Sequence, residues 1–455
     1  MSAPTRRRNP SATADRRLLT ATRAMLILGG LFAVALATGS AAALAVPRAA
    51  AHACRGVSPR APAHYWYVRD WGGLGAAKGR FDHPQGIAVD ASSNVYVADT
   101  ENGRVQKFNN HGDFLTAFGV PGSGVGQFHS PTAIAVAVSG DVFVADAMNN
   151  RIQVWSPSIG GYTHVADFGS YGHGAGEFDQ PNAIAVDAAL NVFVVDTYNH
   201  RVQRFTPFGG GWSYAGQFGG YGTGPGYFFN PRGIALLGGD VNVSDCNNQR
   251  VQRFSPVAGA PYSWQAAWGE PGSGPGQFNY PAGIAAGVHT DLFVTQSVNN
   301  CVQEFSADGG FLTQFGGYGD GPGKLFGASG VAVSVGDKVY VADTMNSRVE
   351  VFGHDLVAPV TRALRDVRAH HDGLANLGYR VYDMVGLAKV TVRIKQGTRT
   401  LRTIGLGQRR TNRDLVCRYR CALAPGSYTF WVYAVDPAGR PQKAPAGHKR
   451  LTVLW

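Results

Sequence analysis

The sequence is poor in charged residues and in cysteine. Only 16% of its 455 residues are Asp, Glu, Lys or Arg, and five are cysteine. Glycine occurs 61 times, and aromatic residues make up 11% of the chain. A helical protein normally carries more charge and less glycine, so this composition favours an all-β fold with many turns.

Several sequence signatures of known chemistry are missing as well. No Gly-rich segment continues into Gly-Lys-Ser/Thr, because Gly323-Lys324 is followed by Leu325-Phe326. There is also no Gly-x-Ser-x-Gly, no Cys-x-x-Cys and no EF-hand spacing of carboxylates. The sequence therefore gives no support for a phosphate-binding loop, a hydrolase nucleophile elbow, a zinc module or a calcium loop. We interpret the Gly-rich segments as turns.

One twelve-residue pattern returns six times along the chain, at intervals of 47 to 51 residues. In each copy, alternating β-branched and aromatic residues flank a short turn rich in Asn, and this arrangement predicts a β-hairpin. The interval is that of the blades of a β-propeller. The six copies are Val97–Phe108, Val144–Trp155, Val194–Phe205, Val243–Phe254, Val294–Phe305 and Val341–Phe352.

Five of the six copies contain an Asp that is followed, five residues later, by an Arg. We predict that the two side chains form a bidentate ion pair across the turn. The fifth copy has Gln296 and Cys301 at these positions, and this joint loss suggests that the two act as a pair or in one network. Because the pair recurs in almost every copy, we assign it a structural role and not a catalytic one. The pairs are Asp99 and Arg104, Asp146 and Arg151, Asp196 and Arg201, Asp245 and Arg250, and Asp343 and Arg348.

A second pattern precedes each hairpin and predicts further strands. Its first copy runs from Phe81 to Val89, and its core is Pro-x-(Gly/Ala)-Ile-Ala-Val. The apolar run after the Pro predicts a buried strand, and another strand such as Asp113–Gly119 follows the hairpin, so each unit has four antiparallel strands. An additional strand from Tyr65 to Trp71 precedes the first unit. We expect it to complete the last unit, which lacks its fourth strand.

Together these motifs resemble the NHL-repeat proteins, a family of six-bladed β-propellers, over roughly Tyr65 to Phe352. The sixth unit departs from the family pattern at Ser329, which replaces the Pro, and the fifth departs at Gln296 and Cys301. The resemblance implies a monomeric six-bladed propeller of four-stranded antiparallel blades at residues 64–357, closed by the N-terminal strand. The RING and B-box modules of animal members are not expected, because they need Cys-x-x-Cys pairs.

The mouth of the predicted central channel is the candidate ligand site, because the end of the channel is the natural concavity of this fold. Alternatively, the residues there only satisfy backbone groups where the blades begin. Some propellers related to this family are lyases or lactonases that hold a channel metal with histidines or carboxylates. His83 and His129 are offset by one position, so we assign no catalytic residue, metal ligand or cofactor, and a metal held with Asp82 or Asp179 stays an alternative. The candidate residues of the mouth and the adjacent turns are Asp82, His83, His129, Ser130, Asp179, Gln180, Asn230, Asn279, Tyr280, Tyr198 and His200.

Residues 1–53 are predicted to be an export signal or an N-terminal membrane anchor. Six arginines precede an uncharged stretch from Ala24 to Val46, and positive residues before an apolar run mark an exported segment. The stretch is long enough to span a bilayer, while small-x-small sequences ending at Ala45 and Ala53 fit cleavage, so both outcomes stay open. Residues 54–63 are interpreted as a tether. The folded part is expected outside the cytoplasm, either extracellular or anchored to the cytoplasmic membrane.

The charge of the chain is divided unevenly. Residues 61–357 contain 14 Lys and Arg against 24 Asp and Glu, whereas residues 358–455 contain 18 against 5. An acidic propeller lacks the basic patch of nucleic-acid-binding proteins, so a nucleic-acid partner is not expected. The basic C-terminal region has three interpretations: it meets anionic wall polymers or lipid headgroups, it docks on the acidic propeller, or it is a soluble basic surface.

Residues 358–455 are predicted to form a small β-sandwich, because short strands without helical periodicity alternate with turns. The segment from Gly426 to Gly439 resembles the end of bacterial immunoglobulin-like domains, which commonly serve as adhesion or spacer modules. Cys417 and Cys421 form a candidate disulfide, since an exported chain permits one, while pairing of Cys246 with Cys301 stays open. The predicted strands are Gly378–Tyr382, Ala388–Ile394, Leu401–Ile404, Tyr428–Val435 and Leu451–Trp455.

The sequence thus favours an exported, non-enzymatic binding or scaffold protein of the cell envelope, whose propeller presents a face to a protein, peptide or glycan partner. The alternative is an extracellular lyase or hydrolase with a metal-assisted site at the channel mouth. Membrane contact is expected only through the N-terminal segment.

Overall fold

The computed structural model describes residues 65–257, 260–354, 360–382, 387–411, 413–435, 442 and 447–455. All of them belong to one compact unit, Arg60–Trp455. The predicted export segment, the tether and Cys54 lie outside the described residues. Helical structure in the described part consists of short 3-10 turns, and none has the length and apolarity that a membrane crossing requires. These turns are Ala147–Asn149, Cys246–Asn248 and Thr344–Asn346.

Residues 65–354 form six antiparallel sheets of four strands each, and the predicted all-β fold class is confirmed. In chain order from the innermost strand outward, the first three sheets comprise Ile87–Val89, Val95–Asp99, Arg104–Phe108 and Phe114–Phe118; Pro131–Val136, Val142–Asp146, Arg151–Ser158 and Gly161–Phe168; and Pro181–Val186, Val192–Asp196, Arg201–Phe208 and Gly211–Gly219. The next two comprise Pro231–Leu237, Asp240–Asp245, Arg250–Val257 and Ala260–Trp268; and Pro281–Ala286, Asp291–Gln296, Cys301–Ser306 and Phe311–Gly316.

The sixth sheet closes the ring with strands from both ends of this region. Its strands are Ala328–Val333, Val339–Asp343, Arg348–His354 and, as the outermost, Tyr65–Gly72. The N-terminal strand pairs antiparallel with Arg348–His354, from Tyr65 opposite His354 to Gly72 opposite Arg348. The predicted closure is therefore confirmed, and it covers an edge that the last sheet would otherwise expose.

The small residue of the Pro-x-(Gly/Ala) motif lets neighbouring inner strands approach each other. A Cβ added to Gly86 would lie 2.7 Å from the Cα of Ala133, and one added to Gly283 would lie 2.5 Å from the carbonyl oxygen of Ser329. Side chains at these positions would push the inner strands apart. Each inner strand contacts the next around the ring, and the sixth contacts the first, so these close contacts set the width of the channel.

In five of the six sheets, a buried aromatic residue anchors the Gly-rich connector, the segment that joins the outermost strand of one sheet to the inner strand of the next. Phe178 ends one connector and is fully buried against Phe205, with ring centroids 5.6 Å apart. Four other sheets repeat this contact at 5.3–5.7 Å. Beyond burial itself, such a pair contributes about 0.5–1.5 kcal/mol. The sixth sheet has Leu325 at this position, also fully buried.

The Asp of the hairpin motif is the centre of a hydrogen-bond network above this aromatic pair. In the third sheet, Asp196 is fully buried. One oxygen accepts from the backbone N–H of Asp179 at 2.7 Å, and the other accepts from Asn199, Arg201 and Gln203 side chains at 2.8–3.1 Å. The carboxylate thus joins the hairpin turn to the start of the inner strand. A buried charge is stable only when it is compensated in this way.

The Arg of the motif spans from the Asp to the connector. In five sheets its Nε donates to one carboxylate oxygen at 2.7–2.9 Å. The outer nitrogen Nη2 of Arg201 instead donates to the carbonyls of Gly174 and Glu177 in the connector. The predicted contact is present, but it is not bidentate, because Nη2 binds the connector backbone and Nη1 donates to Gln217.

The fifth sheet keeps the network without its charges. The amide oxygen of Gln296 accepts from the N–H of Asn279 at 3.0 Å and from Asn299 at 2.7 Å, as the Asp does elsewhere. Its amide nitrogen donates to the carbonyl of Gln277, which corresponds to a carbonyl held by Arg in the other sheets. Because Gln296 is uncharged, no cation is needed opposite it, and Cys301 takes the place of the Arg. Cys301 is buried, and burial raises the pKa of its thiol to about 12.

The sixth sheet carries a carboxyl group where the other five have Gln. Glu350 replaces Gln106 and its equivalents, is fully buried, and lies 3.2 Å from Nε of Arg348, which also binds Asp343. It accepts a hydrogen bond from the N–H of Gly323. Burial raises the pKa of Glu350 to about 9, so this carboxyl holds its proton at neutral pH.

The C-terminal region forms two sheets around one core, to which Leu377, Val392 and Phe430 all contribute. The first sheet contains Val360–Ala363, Leu374–Tyr382 and Asp414–Arg420, and the second contains Val367–His370, His448–Leu454, Gly426–Val435, Leu387–Gln396 and Arg399–Arg410, in that spatial order. The strands at Val360–Ala363, Val367–His370 and Asp414–Arg420 were not predicted. Arg410 lies 3.6 Å from Asp70 of the propeller.

The predicted disulfide between Cys417 and Cys421 is not formed. Both are free and buried, as are Cys246 and Cys301 among the described cysteines. Cys417 lies within Asp414–Arg420, and Cys421 follows that strand directly. Residues four apart along an extended strand are separated by roughly 13 Å, whereas a disulfide needs Cα atoms within about 7 Å.

A double-mutant cycle in the third sheet tests whether the Asp and Arg act together. Arg201→Cys should destabilise the protein by about 3–5 kcal/mol, because it leaves Asp196 buried without its cation. Adding Asp196→Gln recreates the pair found in the fifth sheet and should recover at least about 1 kcal/mol of that loss. Urea denaturation of the single and double variants measures this coupling. Strictly additive losses would show that the two residues act independently.

Glu350→Gln should stabilise the protein in a pH-dependent way. The unfolded chain releases this proton near its ordinary pKa of 4.5 and the folded chain near 9, so the native residue costs stability as pH rises between those values. The gain should reach about 1–3 kcal/mol near pH 8 and vanish near pH 4. Thermal denaturation across this pH range checks it. A loss of stability near pH 8 would mean that Glu350 is ionised and stabilises Arg348.

Candidate functional site: the central channel and the turn face

The inner strands of all six sheets line one channel of about 320 Å³. Most of the residues that line it belong to the Gly/Ala-Ile-Ala-Val part of the inner-strand motif. The variable residue directly after the Pro lies at the end where the inner strands begin. Of the described residues that line the channel, only Arg232 is ionisable, and its side chain is exposed. The variable residues are Gln85, Thr132, Asn182, Arg232, Ala282 and Ser329. Ala328, which pairs with Asp343 as Pro181 pairs with Asp196, therefore replaces the Pro in the sixth sheet, and the prediction that Ser329 does so is wrong.

Two of these polar side chains are already used within the ring. The hydroxyl of Thr132 donates to the carbonyl of Pro181 at 3.0 Å, and the amide of Asn182 donates to the hydroxyl of Thr197 at 3.2 Å. Arg232 has no hydrogen bond or ion pair to another described side chain. The channel mouth therefore offers a ligand one guanidinium surrounded by amide and hydroxyl groups.

The predicted mouth residues lie one step outside this lining. In each sheet the first of them is bound through its backbone to the buried Asp or Gln of the network, as Asp82, His129, Asp179 and Asn279 show. The second has positive φ values of 49–55°, which places the chain in a left-handed turn before the inner strand. Much of the predicted set therefore satisfies backbone groups where the sheets begin. The residues in the left-handed turn are His83, Ser130, Gln180, Asn230 and Tyr280.

In four hairpin turns, a second left-handed residue at the end of the turn ties one sheet to the next. Asn150 accepts from the backbone N–H of Gln180 at 2.8 Å, and His200 accepts through Nδ1 from the N–H of Asn230 at 3.1 Å. Gln249 and Asn300 make the same bond in later sheets. His200 is thus a link between sheets. Its Nδ1 must be unprotonated to accept, and burial lowers its pKa against the influence of two nearby carboxylates.

The two histidines that sequence suggested as metal ligands do not converge. Nδ1 of His83 lies 2.6 Å from Oδ1 of its neighbour Asp82, and His129 contacts Asp146 through its backbone. Burial, followed by repulsion from Asp196, raises the pKa of Asp179. Over the described ranges, no three His, Cys, Asp or Glu side chains are grouped as metal ligands would be.

Comparison with known proteins identifies the repeating unit. The profile of the NHL repeat matches residues 81–108, 128–155, 178–205, 228–254 and 327–352. The chain carries NHL repeats. The fifth structural unit falls outside these matches, and it is the unit in which Gln296 and Cys301 replace the Asp and Arg.

Among curated proteins, the Drosophila melanogaster protein brain tumor is 42% identical over 53 residues, which are 12% of this chain and 5% of that protein. The matching stretch thus spans about a twentieth of the relative's length. Among solved structures, a protein of unknown function from Bacteroides thetaiotaomicron aligns with a TM-score of 0.49 and 16% identity, covering 64% of this chain and 75% of that one. A streptogramin B lyase aligns with a TM-score of 0.45 and 14% identity, covering 64% and 98%.

The NHL connectors present a set of exposed apolar side chains that the sequence analysis treated only as turn segments. We call the surface formed by the hairpin turns and connectors the turn face. Tyr171, Tyr221 and Tyr318 are 65–69% exposed there. Edge-on contacts orient two of them: Tyr221 with Phe229 at 5.4 Å, and Tyr318 with Phe326 at 5.3 Å. At the equivalent position the six connectors carry Leu74, Pro121, Tyr171, Tyr221, Pro271 and Tyr318.

The hairpin turns add a second set of apolar side chains to this face. Tyr198, Met148, Met345 and Val298 occupy the same turn position and are 39–46% exposed. Of the predicted binding residues, Tyr198 therefore lies among exposed side chains. The signal that would have found the connector tyrosines is the recurring Gly-x-Tyr-Gly of three NHL units, beginning at Gly169, Gly219 and Gly316.

His200→Asn should remove a pH-dependent contribution to stability while keeping the link between sheets. Because the folded-state pKa of His200 is lowered, the native link is complete above the ordinary value of 6.5 and weakens as pH falls below it. At low pH the wild-type protein should lose roughly 0.5–1.5 kcal/mol of unfolding free energy through this link. The value should be near the lower end because the imidazole is partly exposed. Denaturation midpoints at falling pH should separate wild type from His200→Asn, which copies Asn150. Parallel pH profiles would contradict this role.

Proposed function

We propose that the protein is an exported, non-enzymatic binding protein of the cell envelope, and that its six sheets are the blades of one NHL-type propeller. The turn face would bind a protein partner. The observation that carries this proposal is the apolar side chain exposed at the same place on all six connectors, with tyrosine in three of them. Exposed apolar side chains that recur on one face favour an interaction site there, because tyrosine is enriched in protein interfaces.

The tyrosines are held in position before a partner arrives. Tyr221 is packed at 84° against Phe229 and Tyr318 at 81° against Phe326, and the connectors that carry them are fixed by the network around each buried Asp or Gln. A side chain that is already ordered loses less conformational entropy on binding. This favours recognition by a rigid surface.

Arg232 gives the partner a point of charge recognition at the centre of this face. The residue lies at the channel mouth, where the other variable positions are neutral. The propeller region is otherwise acidic. An acidic side chain or a C-terminal carboxylate of the partner would pair with Arg232 there.

The location outside the cytoplasm rests on the N-terminal sequence. Six arginines before an uncharged stretch of 23 residues, Ala24 to Val46, have the pattern of an export segment or anchor. A binding protein needs no cofactor, and its contact with the membrane would be made only through this segment.

The C-terminal region would be an immunoglobulin-like spacer. Support comes from its two-layer core and from Tyr428, whose hydroxyl donates to the carbonyl of Ala424 at 2.7 Å near the start of a strand. Immunoglobulin-type sandwiches contain a tyrosine with this backbone contact at one corner.

A photo-crosslinking residue at position 221 should capture a protein from envelope extracts, whereas the same residue at Phe208, on the opposite face, should not. Once that partner is purified, the triple variant Tyr171→Ser, Tyr221→Ser, Tyr318→Ser should weaken its binding at least about tenfold. Calorimetric titration measures the change in Kd. The control variant Ile159→Ser, Phe208→Ser removes exposed apolar side chains from the opposite face and should bind normally. Equal losses in both variants would refute the turn face as the binding site.

A further inference from the structure

The five-stranded sheet of the C-terminal region has an unusual charge distribution. Its strands contain ten Lys and Arg residues and not one Asp or Glu. One layer of side chains, including Val390, Val392 and Phe430, enters the core, so the alternate residues face outward. The outward set on the three neighbouring strands includes Lys389, Thr391, Arg393, Lys395, Thr429, Trp431, Tyr433, His448 and Arg450.

Aromatic rings hold the cations of this face in place. The guanidinium of Arg393 lies 4.4 Å from the centre of the Tyr433 ring, and Nζ of Lys395 lies 5.0 Å from that of Trp431. His448 stacks on Trp431 at 4.4 Å with an interplanar angle of 23°. A cation–π contact positions a cation without neutralising its charge. Within the described residues, no carboxylate forms an ion pair with Arg393 or Lys395, so the charge stays available to a ligand.

We propose that this outward face binds an acidic polysaccharide. The cations repeat along the strand and across strands, as a linear polymer with regularly spaced carboxylates requires. Arg393 and Lys395 share one face two residues apart, about 6.7 Å along the strand. The hydroxyls of Thr391 and Thr429 lie between the charged side chains and suit the hydroxyl groups of a sugar.

Two other polyanions fit this face less well. Single-stranded nucleic acids bind by stacking bases on open aromatic rings, but Trp431 and Tyr433 already carry cations and an imidazole. Binding to a bilayer surface combines charge with apolar side chains that enter the lipid, whereas the outward set is made of cations, hydroxyls and covered aromatic rings. The proposal does not depend on the function assigned to the propeller.

The test measures binding of the full chain to polygalacturonate, with neutral dextran as the uncharged comparison. Wild type should bind polygalacturonate, more weakly as NaCl rises, and should not bind dextran. Arg393→Gln with Lys395→Gln should raise the Kd about tenfold or more, since each cation near an anionic surface contributes roughly a fivefold factor. Arg450→Gln is a second variant on the same face and should raise it severalfold.

Arg418→Gln with Arg420→Gln is the matched control. It removes the same charge from exposed positions on the three-stranded sheet and should change the Kd by less than about twofold. If the control weakens binding as much as the test variant, net charge and not this face binds the polymer, and the proposal fails. It also fails if wild type does not bind polygalacturonate, or if it prefers a single-stranded oligonucleotide or phosphatidylglycerol vesicles at the same NaCl concentration.

Discussion

One buried carboxylate in each NHL unit determines where most of the remaining structure lies. Asp196 accepts from a backbone N–H at the start of the inner strand and from three side chains of its own hairpin. All three of those side chains, Asn199, Arg201 and Gln203, also bind the connector backbone. Hairpin, connector and inner strand are therefore fixed by one charge. Moving a carboxylate out of water costs free energy, so the buried Asp is stable only with its complete set of hydrogen-bond donors.

The units that depart from the motif show what this constraint requires. The fifth changes acid and base together and keeps the acceptor with the amide of Gln296. The sixth puts Glu350 beside Asp343 and tolerates it because burial keeps the carboxyl protonated. Both keep an acceptor for the backbone N–H at the start of the inner strand, although the charges differ. The fold thus depends on satisfied hydrogen bonds more than on the ion pair itself.

Periodicity made the fold predictable, while the functional surface depended on details that periodicity does not carry. Alternation and spacing gave the four-stranded units, and the unpaired strand at Tyr65 gave the closure. The predicted mouth residues lie outside the lining because a left-handed residue, such as Gln180, comes directly before each inner strand. The prediction of a disulfide between Cys417 and Cys421 was wrong because the two residues are close in sequence but are held apart by an extended strand.

The same constraint explains where variation between units is permitted. Positions that serve the network or the close contact of inner strands are nearly constant, whereas three others vary between units: the residue after the Pro, the tip of the hairpin and the apolar residue of the connector. All three lie on one face, and their side chains take no part in the network around the buried Asp or Gln. Six similar supports therefore carry a different combination of these three side chains in each unit. A surface built in this way lacks the symmetry of its frame, so it can distinguish one orientation of a partner from the other five.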